Sequence, residues 1–276
     1  MNTYKELLQK GKDKLKQQGI VDADIDAWYL LSHVFHVNRT DLFLNGDNPV
    51  PEELNTKYQE LIKQRAAHIP LQYITGMQEF MGLEFNVSED VLIPRQDTEI
   101  LALEALRFCD GKTVLDMCTG SGCIIISIAK LGRPLKAIGA DISFKALEVA
   151  NSNAVKHKVE IEFLQSDLFN QINESFDIIV SNPPYIPTEE IMELMPEVKD
   201  HEPITALDGS SDGLYFYRKI SKEAIKHLHH GGVILFEIGH NQGDDVKQIL
   251  LKEGFTDVVI KKDLSGLDRV VTAIRS

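Results

Sequence analysis

Residues 176–185 read Phe-Asp-Ile-Ile-Val-Ser-Asn-Pro-Pro-Tyr, and few architectures accommodate such a run. Its first half is apolar and β-branched, the composition of a strand covered on both faces of a parallel sheet. Its second half cannot continue that strand. Pro183 and Pro184 lack a backbone N–H, so the ladder stops and the chain leaves in a stiff, extended conformation. Asn182 is thereby held at the carboxyl end of a central strand beside the ring of Tyr185, and in open α/β sheets ligands bind at that end. The amide carries one acceptor and two donors, and the carbonyls of Asn182 and Pro183 have no ladder partners left. Acceptors aimed into a cleft would grip a planar –NH2 group, with Tyr185 as a flat wall. An exocyclic amine or a carboxamide is the expected guest. The plainer alternative is a strand-to-loop turn, since Asn-Pro pairs commonly initiate turns.

The rest of the chain supplies the sheet. Strands are expected at Thr113–Met117, Lys136–Asp141, Ile161–Asp167, Phe176–Asn182 and Gly232–Gly239, with helices at Cys123–Leu131, Phe144–His157 and Leu214–His230 between them. This alternation predicts a parallel, doubly wound sheet with right-handed crossovers. Thr256–Asp263 and Arg269–Ile274 are too close for a crossover helix, so that last pair must be antiparallel. Residues 1–71 read as a helical bundle: Thr3 and Glu6 form a capping box, Trp28, Leu31 and Phe35 recur at helical spacing, Thr40 is placed to cap a short turn, and Pro51 opens a helix. Residues 72–92, broken by Gly76 and Gly82, read as a β-hairpin linker with a strand at Gln72-Tyr73-Ile74. Residues 93–276 form the α/β domain, entered through a helix capped by Thr98.

Twenty-nine basic residues against forty-two acidic ones leave a net charge of −13, which repels phosphate backbones and disfavours a nucleic-acid partner. Cys109, Cys118 and Cys123 show no metal-ligand spacing and read as reduced thiols. No metal site is expected. His227, His229 and His230, at a helix end, are better suited to complement its dipole than to bind metal. No apolar stretch approaches the length of a membrane span, and the expectation is a cytoplasmic protein without a membrane partner.

Three further strand ends carry chemistry. Asp116 closes the first strand of the sheet ahead of Cys118-Thr119-Gly120-Ser121-Gly122, a turn whose glycines let backbone N–H groups approach a ligand before a helix begins. A dinucleotide fingerprint wants a small residue where Ile125 stands, and a carboxylate at position 116 opposes a pyrophosphate while accepting from an ammonium group. Asp141 closes the second strand where an acidic side chain can hold both ribose hydroxyls. Asp167 closes the third, where it can accept from an adenine amine while the N–H of Leu168 meets a ring nitrogen. Each aspartate alone reads equally well as a helix cap. Together with Asn182 they describe a pocket for a cationic adenosine derivative next to a gripping amide.

Asp116 to Gly122, Asp141, Asp167 and Asn182-Pro183-Pro184-Tyr185 resemble the S-adenosylmethionine-dependent methyltransferases of the seven-stranded class. Gln72-Tyr73-Ile74-Thr75-Gly76, Leu92-Ile93-Pro94-Arg95 with Thr98-Glu99, Glu202-Pro203 with Ala206-Leu207, and Asp268-Arg269-Val270-Val271 are similar to the PrmC/HemK family. The resemblance implies a cofactor, S-adenosyl-L-methionine, bound by Asp116, Cys118, Thr119, Gly120, Ser121, Gly122, Asp141, Asp167, Leu168 and Asn182. It implies a substrate, the glutamine of the Gly-Gly-Gln loop of peptide chain release factors, held by Asn182, Pro183, Pro184 and Tyr185. Of these, Asn182, Pro183 and Tyr185 would act in catalysis, with the helical domain recognising the substrate and the chain acting as a monomer. Cys118 departs from the family, which has glycine there, and its β-carbon narrows the approach of the cofactor's methionine portion. Other readings are an adenine-N6 methyltransferase acting on DNA or RNA, whose flipped base would suit the same grip, a non-catalytic protein-binding module and, last, a nicotinamide dehydrogenase.

Overall fold

The computed structural model describes residues 2–276, which divide into two compact units, residues 2–76 with Met195–His201, and Met77–Leu194 with Glu202–Ser276. The first is helical: α1 Tyr4–Gln17, α2 Ala23–Phe35, α3 Arg39–Asn45, α4 Glu52–Ala66 and α5 Leu71–Thr75. The Thr3–Glu6 capping box is present in full. Leu7, Leu15, Leu30, Leu31 and Tyr58 close its core, and the Tyr58 hydroxyl, buried with them, donates to Ala27 O at 3.1 Å. At the edge of that core Arg65 Nε meets Asp26 Oδ2 at 2.7 Å and its Nη2 meets Glu197 Oε1 at 3.0 Å. Glu197 belongs to α9 (Pro196–Lys199), the short excursion of the chain that joins this unit.

Two local expectations are corrected in this unit. Asn38, rather than Thr40, caps α3, exchanging bonds with Asp41 in a second capping box. Gln72-Tyr73-Ile74 is not a strand: Pro70 starts a helical turn that Gly76 ends in the left-handed conformation at φ 75°. Helix entry at proline and exit at glycine outweighed the strand propensity of three residues.

In the second unit β1 Met77–Phe80 and β2 Leu83–Asn86 form the hairpin, and α6 Glu99–Leu106 leads into the sheet. There follow β3 Thr113–Met117, α7 Cys123–Leu131, β4 Lys136–Asp141, α8 Phe144–His157, β5 Glu162–Gln165, β6 Phe176–Ser181, α10 Tyr215–His227, β7 Leu228–Glu237, α11 Gly243–Lys252, β8 Phe255–Lys262 and β9 Asp268–Arg275. The strand order is β5-β4-β3-β6-β7-β9-β8. The first five are parallel, and β9 runs antiparallel between β7 and β8. This is the seven-stranded, mostly parallel, doubly wound sheet that the sequence pattern predicts.

Side chains alternate across it. Val114, Ile178 and Val180 pack under α6 and α7, while Leu115 and Ile179 face α10 and α11. The winding reverses between β3 and β6, so the crevice at their carboxyl ends is the place where a ligand fits. Two further expectations change. α10 ends at His227, and His229 and His230 lie beyond the helix end, within β7. Thr98 makes no cap bond to α6, and its hydroxyl serves the crevice instead.

Candidate active site

A cavity of about 330 Å³ opens at the carboxyl ends of β3, β4, β5 and β6. Cys118, Thr119, Gly120, Ser121, Asp141, Asp167, Leu168, Asn182 and Pro184 all contribute to its wall. Asp116, Gly122, Pro183 and Tyr185 are not among the residues of that wall.

Asp116 is fully buried beneath the turn, where its Oδ2 accepts from Thr119 Oγ1 at 2.6 Å and its Oδ1 has no hydrogen-bond partner. Burial pushes this carboxyl up to about 7, against the Thr119 hydrogen bond that favours the charge. Gly122 is a packing glycine: at φ 78° a Cβ there would stand 3.1 Å from that of Ala150 on α8. Gly120 is the open one, at φ 55°, with nothing within 4 Å of the place a Cβ would take. Cys118 adopts φ 63° despite its side chain, a conformation that costs a non-glycine residue about 1–2 kcal/mol. Its thiol is pushed above the usual cysteine range by burial and by the charges of Asp141, Asp116 and Asp167, so it is a neutral wall, not a nucleophile.

Asp141 organises the turn. Its Oδ2 accepts from Gly120 N and its Oδ1 from Ser143 N, both at 2.9 Å. Each oxygen keeps a lone pair for a ligand hydroxyl. Burial raises its pKa, opposed by those backbone bonds. Asp167 stands exposed at the rim. Leu168 holds φ 48°, fixed by Ser166, whose Oγ donates to Leu168 O at 2.5 Å and accepts from Gln171 N at 3.0 Å.

Ser181 Oγ ties the end of β6 to β3 through Met117 O at 2.6 Å, so the position of Asn182 is set by both strands. Behind the cavity, the Tyr185 backbone is clamped: Gln242 Nε2 donates to Tyr185 O at 2.9 Å. Gly209 lies against the same segment, and a Cβ there would come within 2.7 Å of Tyr185 Cα.

The structure also brings in residues that local motif reading does not assign. Arg95 reaches the wall and is held at 2.7 Å by both oxygens of buried Glu202. Asn153, fully buried on α8, donates to Ser121 O and Asn86 O at 3.0 Å and accepts from Asn86 N, stapling the hairpin to the turn. These positions lie far apart in sequence, and no local spacing links them. Among the described residues Arg95 is the one basic side chain on the wall, no cluster of His, Cys, Asp or Glu could hold a metal ion, and no helix is long and apolar enough to cross a membrane.

The doubly wound sheet and its acidic, amide-bearing crevice define a methyltransferase of the Rossmann-like class. Residues 96–197 match the methyltransferase small domain family, and solved neighbours share the fold: a Pyrococcus furiosus methyltransferase at TM-score 0.55, 16% identity and 80% of this chain against 98% of its own. A T. thermophilus 16S rRNA N2 G1207 methyltransferase matches at TM-score 0.52 and 17% identity, over 72% of this chain and 50% of its own. Residues 6–76 match the PrmC N-terminal domain. The release factor glutamine methyltransferase of Geobacter sulfurreducens is 41% identical over 98% of this chain and 95% of its own length, and that of Clostridium botulinum 43% over 98% of both. The chain belongs to the release factor glutamine methyltransferase family.

Proposed function

We propose that this protein transfers a methyl group from S-adenosylmethionine to the side-chain amide nitrogen of the glutamine in the Gly-Gly-Gln loop of peptide chain release factors. The observation that carries the reading is the Asn182 amide on the wall of a cavity whose other end is acidic, with Asp141 and Asp167 at the ends of β4 and β5. The donor set fits the cofactor. Carboxylates suit hydroxyls, an amine and a sulfonium charge, whereas a pyrophosphate would meet them as like charges. Asp141 would hold the ribose, Asp167 and the Leu168 N–H the adenine, and Gly120 and Ser121 the methionine portion. Asp116 acts from beneath the turn through Thr119, and Gly122 by packing.

Bound there, S-adenosylmethionine supplies an electrophilic methyl group on a sulfonium centre. The protein's part is orientation. An amide nitrogen is a weak nucleophile because its lone pair is delocalised into the carbonyl. Acceptance of its two hydrogens by Asn182 Oδ1 and by the Pro183 carbonyl one residue further on would fix the –NH2 plane and raise electron density on nitrogen, with Pro184 on the cavity wall and Tyr185 behind it. Such positioning is worth up to roughly 7–11 kcal/mol in the best model systems. The methylated nitrogen releases its proton to water, so no general base is assigned.

Residues 1–71 would recognise the release factor, 72–92 link, and 93–276 catalyse, in a monomeric cytoplasmic enzyme. The test is transfer of labelled methyl from S-adenosylmethionine to a purified release factor and to the same factor with its Gly-Gly-Gln glutamine changed to alanine. Label on the first alone is expected. Label on DNA or RNA adenine instead would overturn the reading.

A further inference from the structure

We propose that Gln242 is a positioning residue for methyl transfer, holding the chain that leaves β6 so that Asn182 Oδ1 and the Pro183 carbonyl keep the spacing a substrate amide requires. The inference deepens the function proposed above and rests on it. Pro183 and Pro184 create the need for such a residue. Without N–H groups they cannot be anchored to a neighbouring segment from the donor side, so the course of this stretch is set from its two ends. At the near end Ser181 Oγ donates to Met117 O at 2.6 Å. At the far end the anchor is Gln242, whose Nε2 donates to Tyr185 O at 2.9 Å and to Gly213 O at 3.4 Å, while its Oε1 accepts from Gly239 N at 2.9 Å.

The Gln242 side chain serves this joint and not its own helix. It stands at the N-cap of α11, where short side chains that turn back onto the helix are favoured, yet it makes no cap bond. It is 7% exposed. The two carbonyls can only accept and the Gly239 N–H can only donate, so the amide has a single satisfied orientation. Gly213 brings its chain in close at φ 70°, and a Cβ there would stand 2.6 Å from Gln242 Nε2. Three loops, those after β6, before α10 and after β7, thus meet on one side-chain amide.

The same joint reaches the cavity by a second route. Ile186 N donates to Leu207 O at 3.0 Å, and Gly209 N donates to Ile186 O at 2.8 Å. The run that carries these bonds forms part of the cavity wall through Pro203, Ile204, Thr205, Ala206 and Asp208. The Tyr185 side chain is tied less tightly, its hydroxyl donating to Glu237 Oε1 at 3.5 Å, so the backbone bond to Gln242 sets the register. A shift there moves the Pro183 carbonyl relative to Asn182 Oδ1 and spoils the two-point grip. The Asp141 bonds to Gly120 and Ser143 lie outside the joint, so cofactor binding is untouched.

The experiment compares the full-length protein with Gln242→Met, which keeps the length of the side chain and removes its hydrogen bonds, alone and combined with Asn182→Ala. Gln242→Met should lower kcat by roughly 10- to 100-fold, as a misplacement of about 1 Å does. Cofactor affinity by calorimetry and KM for the release factor should stay within about threefold, and the double variant should lose less than the product of the two single losses. Independently of activity, the Gln242 side-chain amide protons, assigned by their absence in Gln242→Met, should exchange with solvent at least about tenfold more slowly than those of exposed Gln17. Wild-type kcat in Gln242→Met, a loss of cofactor affinity matching the loss of kcat, losses that multiply in the double, or Gln242 protons that exchange like those of Gln17 would overturn the proposal. Should Gln242→Met fail to fold, Gln242→Glu, which keeps the acceptor for Gly239 and loses the donors, decides by the same readouts. A wild type that leaves the release factor unmethylated would overturn the proposed function and this role with it, whereas a methylating wild type with an unaffected Gln242→Met would overturn this role alone.

Discussion

At the scale of single residues, the proposed function divides the work between gripping an amide and gripping a nucleoside, and the two should separate on mutation. Asn182→Ala removes the side-chain acceptor at the end of β6 without touching the Asp141 contacts to Gly120 and Ser143. Methyl transfer should fall by about 10²–10³-fold, the usual cost of losing one preorganised polar contact to the reacting group, with cofactor affinity by calorimetry nearly unchanged. Parallel losses of binding and turnover would contradict that division. Asp141→Ala does the opposite. It removes a carboxylate that also holds the turn, so S-adenosylmethionine binding should weaken by about 10- to 100-fold, as for lost hydrogen bonds to a charged group. Residues of this kind were legible in the sequence because each closes a strand at a fixed distance from a turn signal. Glu237 was not. It closes a strand too, but its partner is the Tyr185 hydroxyl, which only the folded sheet brings beside it. Asp116 was legible as a carboxylate at the turn, whereas its position beneath the turn, unexposed, depends on the Thr119 side chain folding back over it.

At the scale of elements, strands of the sheet were readable because burial on both faces makes them continuous apolar runs, and β3, β4 and α7 run between the residues their patterns imply. The ends were harder. α10 stops at His227, and β7 begins at once: Leu228 pairs with Phe176, and after a register shift the next pair is Val233 with Ile178. Gln72 to Ile74 has strand-forming composition, yet Pro70 and Gly76 bracket one helical turn. Helix packing in the first unit gives its own prediction. Arg65 and Asp26 are both nearly buried, and Arg65 also holds Glu197 from a segment more than a hundred residues away. Arg65→Ala would strand the Asp26 carboxylate, whose pKa burial already raises against the Arg65 hydrogen bond. Breaking such a pair costs about 3–5 kcal/mol, so the urea midpoint of the helical unit should fall well below that of wild type. An unchanged midpoint would show that water reaches Asp26.

At the scale of the whole molecule, a net charge of −13 conceals two carboxyls that the fold keeps from ionising easily. Asp116 and Glu237 are both pushed up to about 7 by burial, from 3.8 and 4.5. The native state therefore binds more protons than the unfolded chain between those values, and stability must fall as pH rises through that window, by about 1.4 kcal/mol per pH unit for each group. Denaturation midpoints should be higher at pH near 5 than near 8, and Asp116→Asn or Glu237→Gln should flatten the slope; a midpoint that rises over the same interval would refute the burial assigned to both. The family to which the chain belongs was legible from motifs scattered over nearly its full length, because a crevice built at strand ends leaves its chemistry at the ends of apolar runs. The most direct test of the central claim is mass-spectrometric mapping of a release factor after incubation with this protein and S-adenosylmethionine. The account predicts one added methyl on the side-chain amide of the Gly-Gly-Gln glutamine. A methyl found on any other residue, or no methyl at all with the cofactor bound, would contradict it.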